Sequence, residues 1–209
     1  MKKFVFVAIT IIVSLLILSC SSPTRTPAQT TEPEIPAHFS TYTSEGLYSI
    51  SYPPDWTPAL SIMETLWEDV KEWMESVDPE VDLEEIQLLF CGGVPYWGGY
   101  YPNVSIGIMP RSTGYWSLDE IVESEYLYDM VNTPGYREIS RVRTVVDGRE
   151  AIIIDCEDNE PGFGRWRYLQ LVTVQDDFVW MVTCSCEYQD FNDYADTFES
   201  VVRSLRILN

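Results

Sequence analysis

Oxygen-bearing side chains cluster in one short segment of the sequence, DCEDNEPGFG at residues 155–164. Five of them fall within six residues, and two glycines that follow allow tight turns. Hard cations such as calcium bind to oxygen ligands, but the spacing differs from an EF-hand loop because a glutamate occupies the position that requires glycine. The segment predicts either a calcium site or a plain acidic hairpin loop, with these candidate ligands: Asp155, Glu157, Asp158, Asn159 and Glu160.

A second candidate is the aromatic segment VPYWGGYYP, residues 94–102, which has two glycines among its rings. Exposed aromatic side chains on a loop between strands are typical of surfaces that bind proteins or sugars. The alternative is that the same rings pack on the sheet and close its core. The candidate partner-binding residues are Tyr96, Trp97, Tyr100 and Tyr101.

The sequence offers few side chains for catalysis. Its one histidine, His38, lies ahead of the predicted folded domain, so a serine or cysteine nucleophile lacks its usual base and histidine metal sites are excluded. The glycine pairs at 92–93 and 98–99 lack the spacing and the lysine of a phosphate-binding loop. With 33 acidic residues, carboxylates that are close in sequence identify no acid–base pair. We therefore expect a protein that is not an enzyme and requires no cofactor.

The first twenty residues predict an export signal. Lys2 and Lys3 precede an apolar run at 4–18 that is too short for a clear membrane span. The stretch that follows, Ile-Leu-Ser-Cys at 17–20, resembles the lipobox of bacterial lipoproteins, in which the cysteine is lipidated. We expect lipidation at Cys20 and membrane contact through that anchor alone, with an ordinary secretory signal as the alternative.

Residues 21–41 are rich in serine, threonine and proline, which predicts a disordered tether ahead of a globular domain at 42–209. The formal net charge of −20 argues against nucleic acid and anionic lipid surfaces as partners, because both repel an acidic protein. We therefore predict an extracytoplasmic, membrane-anchored domain that contacts a protein partner of the cell envelope. A divalent-cation or small-ligand binding protein is the alternative.

The other four cysteines are an even number, which permits two disulfides in an exported chain. Cys184 and Cys186 are two apart in a predicted strand, so both face one side at a spacing poorly suited to bridging each other. Three possibilities stay open: buried thiols, one disulfide from Cys156 to Cys184 or Cys186, and a zinc site that also uses Cys91. The zinc pattern is weak because zinc knuckles normally have C-x₂-C pairs.

Hydrophobic periodicity predicts the elements that position these segments. An amphipathic helix is expected at 60–77, followed by strands from Ile86 and Asn103. Ser117 and Glu120 have the spacing of a capping box, which opens a second helix.

The second half of the chain has two hairpin signals and a final helix. Asp147-Gly148 between alternating runs predicts a type I′ turn, and another turn is expected at 175–177. An apolar stripe predicts a helix from Asp190 to the end of the chain. Since strands do not alternate with helices after Arg137, we expect an antiparallel sheet covered by helices, in the α+β class.

The segment GLYSISYPPDW, residues 46–56, is a strand that ends abruptly. Tyr48, Ile50 and Tyr52 share one face, and the two prolines cannot continue a sheet because neither donates an N–H. Trp56 is expected to fold back onto the sheet, which makes this segment a structural corner rather than a binding site.

Together with NVSIGIM, SLDEIVESEY, PGYREISRVRTVVDGREA, RWRYLQLVTVQDDFVWMVTCS and FESVVRSLRIL, this segment resembles the PsbP-like superfamily. The pieces occur in order and cover most of 42–208. The resemblance implies an antiparallel β-sheet flanked by helices on both faces, an α/β/α sandwich, and a non-enzymatic role as assembly factor, adaptor or binding module. It carries no catalytic residues, and its bacterial members include many lipoproteins of unknown role. The long acidic helix at 60–77 departs from the simplest members.

Overall fold

Antiparallel strands account for most of the chain that this computed structural model describes, namely residues 34–60, 68, 87–96, 99–111, 117–123, 135–160 and 164–208. Seven strands form a large sheet: β3 (Thr57–Pro58), β4 (Gln87–Tyr96), β5 (Gly99–Pro110), β6 (Arg137–Val146), β7 (Arg149–Glu160), β8 (Gly164–Gln175) and β9 (Phe178–Glu187). Their order across the sheet is β3-β4-β5-β9-β8-β7-β6, and every neighbouring pair is antiparallel. The predicted antiparallel sheet is confirmed.

A second, small sheet has the order β1-β2-β10 and contains β1 (Ser40–Ser44), β2 (Tyr48–Tyr52) and β10 (Arg206–Ile207). Strand β1 begins two residues ahead of the predicted start of the domain at 42. The C-terminal strand β10 pairs with β2, so the two ends of the domain meet in this sheet. No helix within the described ranges is long and apolar enough to cross a membrane.

Both predicted hairpins are confirmed. Asp147 and Gly148 have φ values of 53° and 74°, as a type I′ turn requires, and join β6 to β7. The second turn joins β8 to β9 between the paired residues Gln175 and Phe178, with Asp176 at φ 54°. Each turn sets the register of the strands that it connects.

The large sheet is buried on both faces along its central strands. We call the side to which Ile153 and Leu171 point the main face, and the side of Ile152 and Val172 the second face. The C-terminal helix, Phe191–Arg203, and the small sheet both pack on the main face. The predicted apolar stripe of this helix is confirmed, because it buries Phe191, Phe198, Val201 and Val202.

The segment 46–56 forms the predicted corner. Tyr48, Ile50 and Tyr52 are buried, and the N–H of Trp56 donates to the carbonyl of Pro53 at 3.0 Å. That turn directs the indole of Trp56 onto the ring of Phe198 in an edge-on contact at 6.2 Å. The broken strand is therefore part of the core.

The second face carries a short helix, Leu118–Glu123, which buries Leu118, Ile121 and Val122 against it. The capping box is confirmed. The N–H of Ser117 donates to the Glu120 carboxylate at 2.8 Å, and the N–H of Glu120 donates to the Ser117 hydroxyl at 3.2 Å. Of the helix predicted at 60–77, only Leu60 and Glu68 are among the described residues, and Glu68 is helical. Helices on both faces are thus confirmed only in part.

Phe198 lies at the centre of the main-face core, where it is fully buried and contacts the rings of Trp56, Phe191 and Tyr194. We expect Phe198→Ala to lower the free energy of unfolding by about 3–5 kcal/mol, because it leaves a large cavity. Urea unfolding followed by tryptophan fluorescence measures this change. Phe178→Ala is the matched control. Because Phe178 is 41% exposed, its replacement should lower the free energy of unfolding far less. Equal losses at both positions would contradict the position of the core.

Candidate functional site

Both segments that the sequence singled out lie at the same end of the large sheet. Glu160 pairs with Gly164 where β7 turns into β8, and Tyr96 pairs with Gly99 where β4 turns into β5. The end of β9 lies between these hairpins, since it pairs with the start of both β5 and β8. We call this region the hairpin end, and its described residues are 96, 99–101, Arg137, 155–160, 164–168 and 187–191.

Carboxylates and arginines alternate on the main face of the hairpin end. The Arg167 guanidinium makes two hydrogen bonds to the Asp155 carboxylate, at 2.9 and 2.7 Å. Glu157 accepts from Arg137 at 2.9 Å and from Arg165 at 2.8 Å, so two guanidiniums share one carboxylate. These five residues form the charged ladder. Charge-assisted bonds of this kind are short and directional, and they hold the arginines in fixed positions.

Glu157 is the central member of the charged ladder, and its side chain is 7% exposed. Burial alone would raise the pKa of this carboxyl, but hydrogen bonds from Arg165 and Arg137 lower it below its ordinary value. Glu157 is therefore ionised and neutralised within the domain.

Aromatic rings support the charged ladder. The Arg165 guanidinium lies 3.4 Å from the ring centroid of Tyr188, and that of Arg167 lies 4.0 Å from the ring of Phe191. Both are cation–π contacts. Beside them, Tyr101 and Trp166 meet edge-on at 5.9 Å, which joins the two hairpins of this end. On the main face the result is a surface of arginines fixed by carboxylates and by the rings of Tyr188 and Phe191.

The predicted acidic loop is wrong in its local structure. Strand β7 continues through Glu160, so residues 155–160 alternate between the two faces of the sheet. Asp155 and Glu157 lie on the main face with the arginines, whereas Asp158 lies on the second face with Cys156. Within the described ranges, no three histidine, cysteine or acidic side chains are grouped to hold a metal ion. Calcium binding remains a prediction, and its ligands would have to give up their arginine partners.

Asp158 has a different environment from the other acidic residues of β7. Burial raises the pKa of its carboxyl, while the hydrogen bond that Oδ2 accepts from the Tyr168 hydroxyl at 2.6 Å lowers it in part. Its other oxygen, Oδ1, and the hydroxyl of Tyr136 are buried and have no hydrogen-bond partner within the described part of the chain. Burial also raises the pKa of Tyr136 above its ordinary range. Buried polar atoms of this kind are costly unless a water or a ligand bonds to them.

All four cysteines of the domain are free thiols, which agrees with the first of the three possibilities and not with a disulfide. Cys184 and Cys186 point to the main face as predicted, but Cys156 points to the second face and is two strands away from both. A bridge or a shared zinc ion is therefore impossible for Cys156 and this pair. Burial raises the pKa of Cys91 to about 11, and those of Cys156 and Cys186 to about 12, so these thiols are poor nucleophiles.

Residues 94–96 and 99–102 of the aromatic segment lie in strands β4 and β5. Tyr101 is half-buried against the main-face core, where its hydroxyl donates to Asp190 and accepts from the Glu187 N–H at 3.2 Å. Tyr101 thus packs on the core in the manner of the second alternative, and its role in partner binding stays a prediction. Trp97 and the side chains of Tyr96 and Tyr100 lie outside the described residues, so their role in partner binding stays a prediction.

The site residues predicted from the sequence do not include the arginines and Tyr188 of this surface. A signal for them was present, because Arg165 and Arg167 alternate across a hairpin from Asp155 and Glu157. Residues spaced by two on paired strands share one face, so opposite charges in this pattern predict cross-strand ion pairs. The contact with Tyr188 depends on how the chain leaves β9, which no local pattern specifies.

The substitution Glu157→Gln tests the charged ladder. We expect it to lower the free energy of unfolding by about 2 kcal/mol near neutral pH, because two guanidiniums lose their charged acceptor. The lowered pKa means that Glu157 stabilises the fold above the ordinary pKa of 4.5 and loses this effect as pH falls through its folded value. Urea unfolding over a pH series should therefore show the variant and the parent converging in acid.

The control is Glu150→Gln, whose side chain is 74% exposed and bonds to Arg143 on the second face. We expect a change within about 0.5 kcal/mol for this control. A loss for Glu157→Gln that does not diminish in acid would show that the ladder is not held by charge.

Comparison with known proteins identifies the fold. No family model matches the chain, and no match is found among curated proteins. The cyanobacterial PsbP, CyanoP, from Synechocystis sp. PCC 6803 has a similar structure, with a TM-score of 0.53 and 12% identity over 82% of this chain and 93% of CyanoP.

Two other solved structures are similar to a lower degree. LpqN of Mycobacterium tuberculosis, described as involved in cell envelope biogenesis, has a TM-score of 0.46 and 12% identity over 82% of this chain and 92% of its own. The immunity protein TplEi of Pseudomonas aeruginosa has a TM-score of 0.45 and 9% identity over 82% and 99%. From its strand order, its C-terminal helix and its likeness to CyanoP, the chain has a PsbP-like fold.

Proposed function

We propose that the domain is a non-enzymatic binding module, anchored outside the cytoplasm by a lipid on Cys20, that binds a protein of the cell envelope through its hairpin end. The observation that carries this proposal is the arginine–aromatic surface. Arg165 is 42% exposed while its guanidinium lies over Tyr188 and bonds to a buried carboxylate. Arginine, tyrosine and tryptophan are the residues that dominate binding energy at protein interfaces.

Rigidity supports the same proposal. A side chain that is mobile in the free protein loses conformational freedom on binding, at about 0.5–1.5 kcal/mol for each. Arg165 and Arg167 are already fixed by carboxylates on one side and by rings on the other. A partner that contacts them gains hydrogen bonds without ordering them first.

The chemistry of the described groups supports binding rather than catalysis. The carboxylates Asp155 and Glu157 are neutralised by arginine, and the thiols of the domain are held in their protonated form by burial. Neither kind of group is poised as a nucleophile or as a general base. The chain's net charge of −20 would attract a basic partner over long distances and increase the rate of encounter.

Photo-crosslinking in the native host tests this proposal. A photoreactive amino acid in place of Gln189, which is exposed beside Tyr188, should crosslink the full-length chain to an envelope protein. The same amino acid in place of Asp176, in the turn at the opposite end of β8, should not. Adding Arg165→Ala should reduce the crosslink at 189 by about tenfold, the effect of a moderate interface residue.

Cys20→Ser serves as the anchor control, since the variant should leave the membrane fraction and lose label from a fatty-acid precursor. Equal crosslinks at 189 and 176 would contradict a partner surface at the hairpin end. A chain with Cys20→Ser that stays in the membrane fraction would contradict the lipid anchor.

The second candidate function is binding of calcium or a small polar ligand, and the buried, partnerless Asp158 Oδ1 and Tyr136 hydroxyl favour it. A thermal melt of the domain with chelator, calcium or manganese separates the two functions. We expect the melting temperature to be unchanged, because Asp155 and Glu157 are occupied by arginines. A rise of several degrees that Asp158→Asn abolishes would instead support a metal-binding role, since a ligand at a hundredfold excess over its Kd stabilises by about 2.7 kcal/mol.

A further inference from the structure

The two edges of the large sheet differ in how readily they could pair with a further strand. One edge is β3, which has only two residues and includes Pro58, so it offers little to another strand. The other edge is β6, with ten residues and no proline. Within the described ranges, β7 is the one strand that pairs with β6. An edge of this length is a template for a further strand unless something covers it.

The outer side of β6 is exposed to solvent. Residues 137–143 and Val145 are exposed, and the two valines Val142 and Val145 are exposed by 52% and 55%. A β-bulge between Glu138 and Ser140 interrupts the start of the strand, after which seven consecutive residues, 140–146, pair with β7 in one register. In such a stretch alternate residues direct both the N–H and the C=O away from the sheet.

On the second face, the side chains beside the β6 edge carry more negative than positive charges. Arg141 and Arg143 point there, and they form ion pairs with four carboxylates, those of Asp119, Glu123, Glu138 and Glu150. Four carboxylates and two guanidiniums leave a net charge of −2 in this patch. Exposed ion pairs are worth at most about 1 kcal/mol, so the carboxylates can exchange partners at little cost. Basic side chains on an added strand would therefore be favoured on this face.

On the main face, the side chains of β6 at this edge are less charged than those on the second face. Val142 is exposed there between Ser140 and Thr144, with no charged residue of the stretch 140–146 on that side. An added strand would place alternate side chains next to Val142, and apolar ones would shield it from water.

A second copy of this chain does not suit the edge. Each copy has a formal net charge of −20, so two copies repel each other, and an antiparallel pair of β6 strands would bring two negative patches together. The charge of the patch favours a different occupant, one that is basic where this chain is acidic.

We propose that residues 140–146 of β6 bind an extended segment of a partner protein by strand addition, in which basic and apolar residues alternate. Main-chain hydrogen bonds to the outward groups of β6 would hold the segment. Its basic side chains would lie beside Glu123 and Glu150 on the second face, and its apolar side chains beside Val142 on the main face. This deepens the proposed function, on which it rests, by naming a second contact surface and the chemistry of what binds there.

Hydrogen exchange with a synthetic probe tests the edge without the natural partner. The probe is the blocked peptide Lys-Val-Lys-Val-Thr-Val-Lys, and the readout is the exchange rate of each backbone amide of the domain. We expect saturation with the peptide to slow the outward amides of 140–146 at least tenfold and to leave the β8–β9 turn unchanged. The peptide Glu-Val-Glu-Val-Thr-Val-Glu should give no protection, because the patch repels it.

Protein variants localise the contact. Val142→Lys should weaken binding of the probe about tenfold, and Leu60→Lys, an equal change of charge at an exposed leucine beside β3 on the opposite edge of the sheet, should not. Glu123→Gln combined with Glu150→Gln should weaken the binding of the probe and reduce the salt dependence of that binding. The probe can be N-methylated at alternate residues in two patterns. Only one pattern blocks the amides that would bond to β6, so that probe should give less protection than the other.

Other outcomes overturn the proposal. Absence of protection at 140–146 would remove the edge as a binding site, and protection that is confined to other residues would do the same. Protection of β6 that rises with the concentration of the domain alone would assign the edge to a second copy. Crosslinks at position 189 that persist in any of these cases would show that the hairpin-end function stands while the edge proposal fails.

Discussion

The register of the central strands is the constraint on which the structure depends. Strands β7, β8 and β9 are buried on both faces, so each residue of their middle segments has a defined partner on each side. Because side chains alternate, a slip by one residue would exchange Ile153 with Ile152 and turn both cores inside out. The same slip would separate Asp155 from Arg167 and Glu157 from Arg165. The hydrophobic core and the charged ladder are thus two results of one pairing.

This coupling explains how a strongly acidic chain keeps a rigid surface. Eight arginines of the described ranges form ion pairs with carboxylates, and those of the hairpin end also lie against rings. Exposed pairs contribute little to the free energy of unfolding. The pairs at Glu157 differ, because that carboxylate is almost completely buried and would be costly without its partners. The proposed function and the stability of the fold would therefore depend on the same residues at this end of the sheet.

The two proposed surfaces use different parts of that framework. The hairpin end presents side chains that are fixed from beneath, so its specificity would come from arginine and aromatic geometry. The β6 edge presents main-chain groups, so its affinity would come from hydrogen bonds and its specificity from the charges on either face. Both surfaces are accessible while the two cores stay intact. A module of this kind can hold one partner in two ways, or two partners together.

Local patterns in the sequence determined much of the architecture. The turn at Asp147-Gly148, the capping box at Ser117 and the apolar stripe of the C-terminal helix each follow from interactions within a few residues. The corner at 53–56 was predictable for the same reason, since proline ends a strand whatever surrounds it.

Tertiary structure alone decided the rest. The two-residue strands β3 and β10 exist because β4 and β2 offer them hydrogen bonds, and no periodicity can mark so short a strand. Cysteine pairing depended on which face of which strand each thiol occupies, and this placed Cys156 away from Cys184. The acidic segment 155–160 became a strand because β8 pairs with it and supplies arginines. The composition of a segment shows which charged groups are present. The partner strand determines whether a carboxylate binds a cation from solvent or pairs with a guanidinium of the same chain.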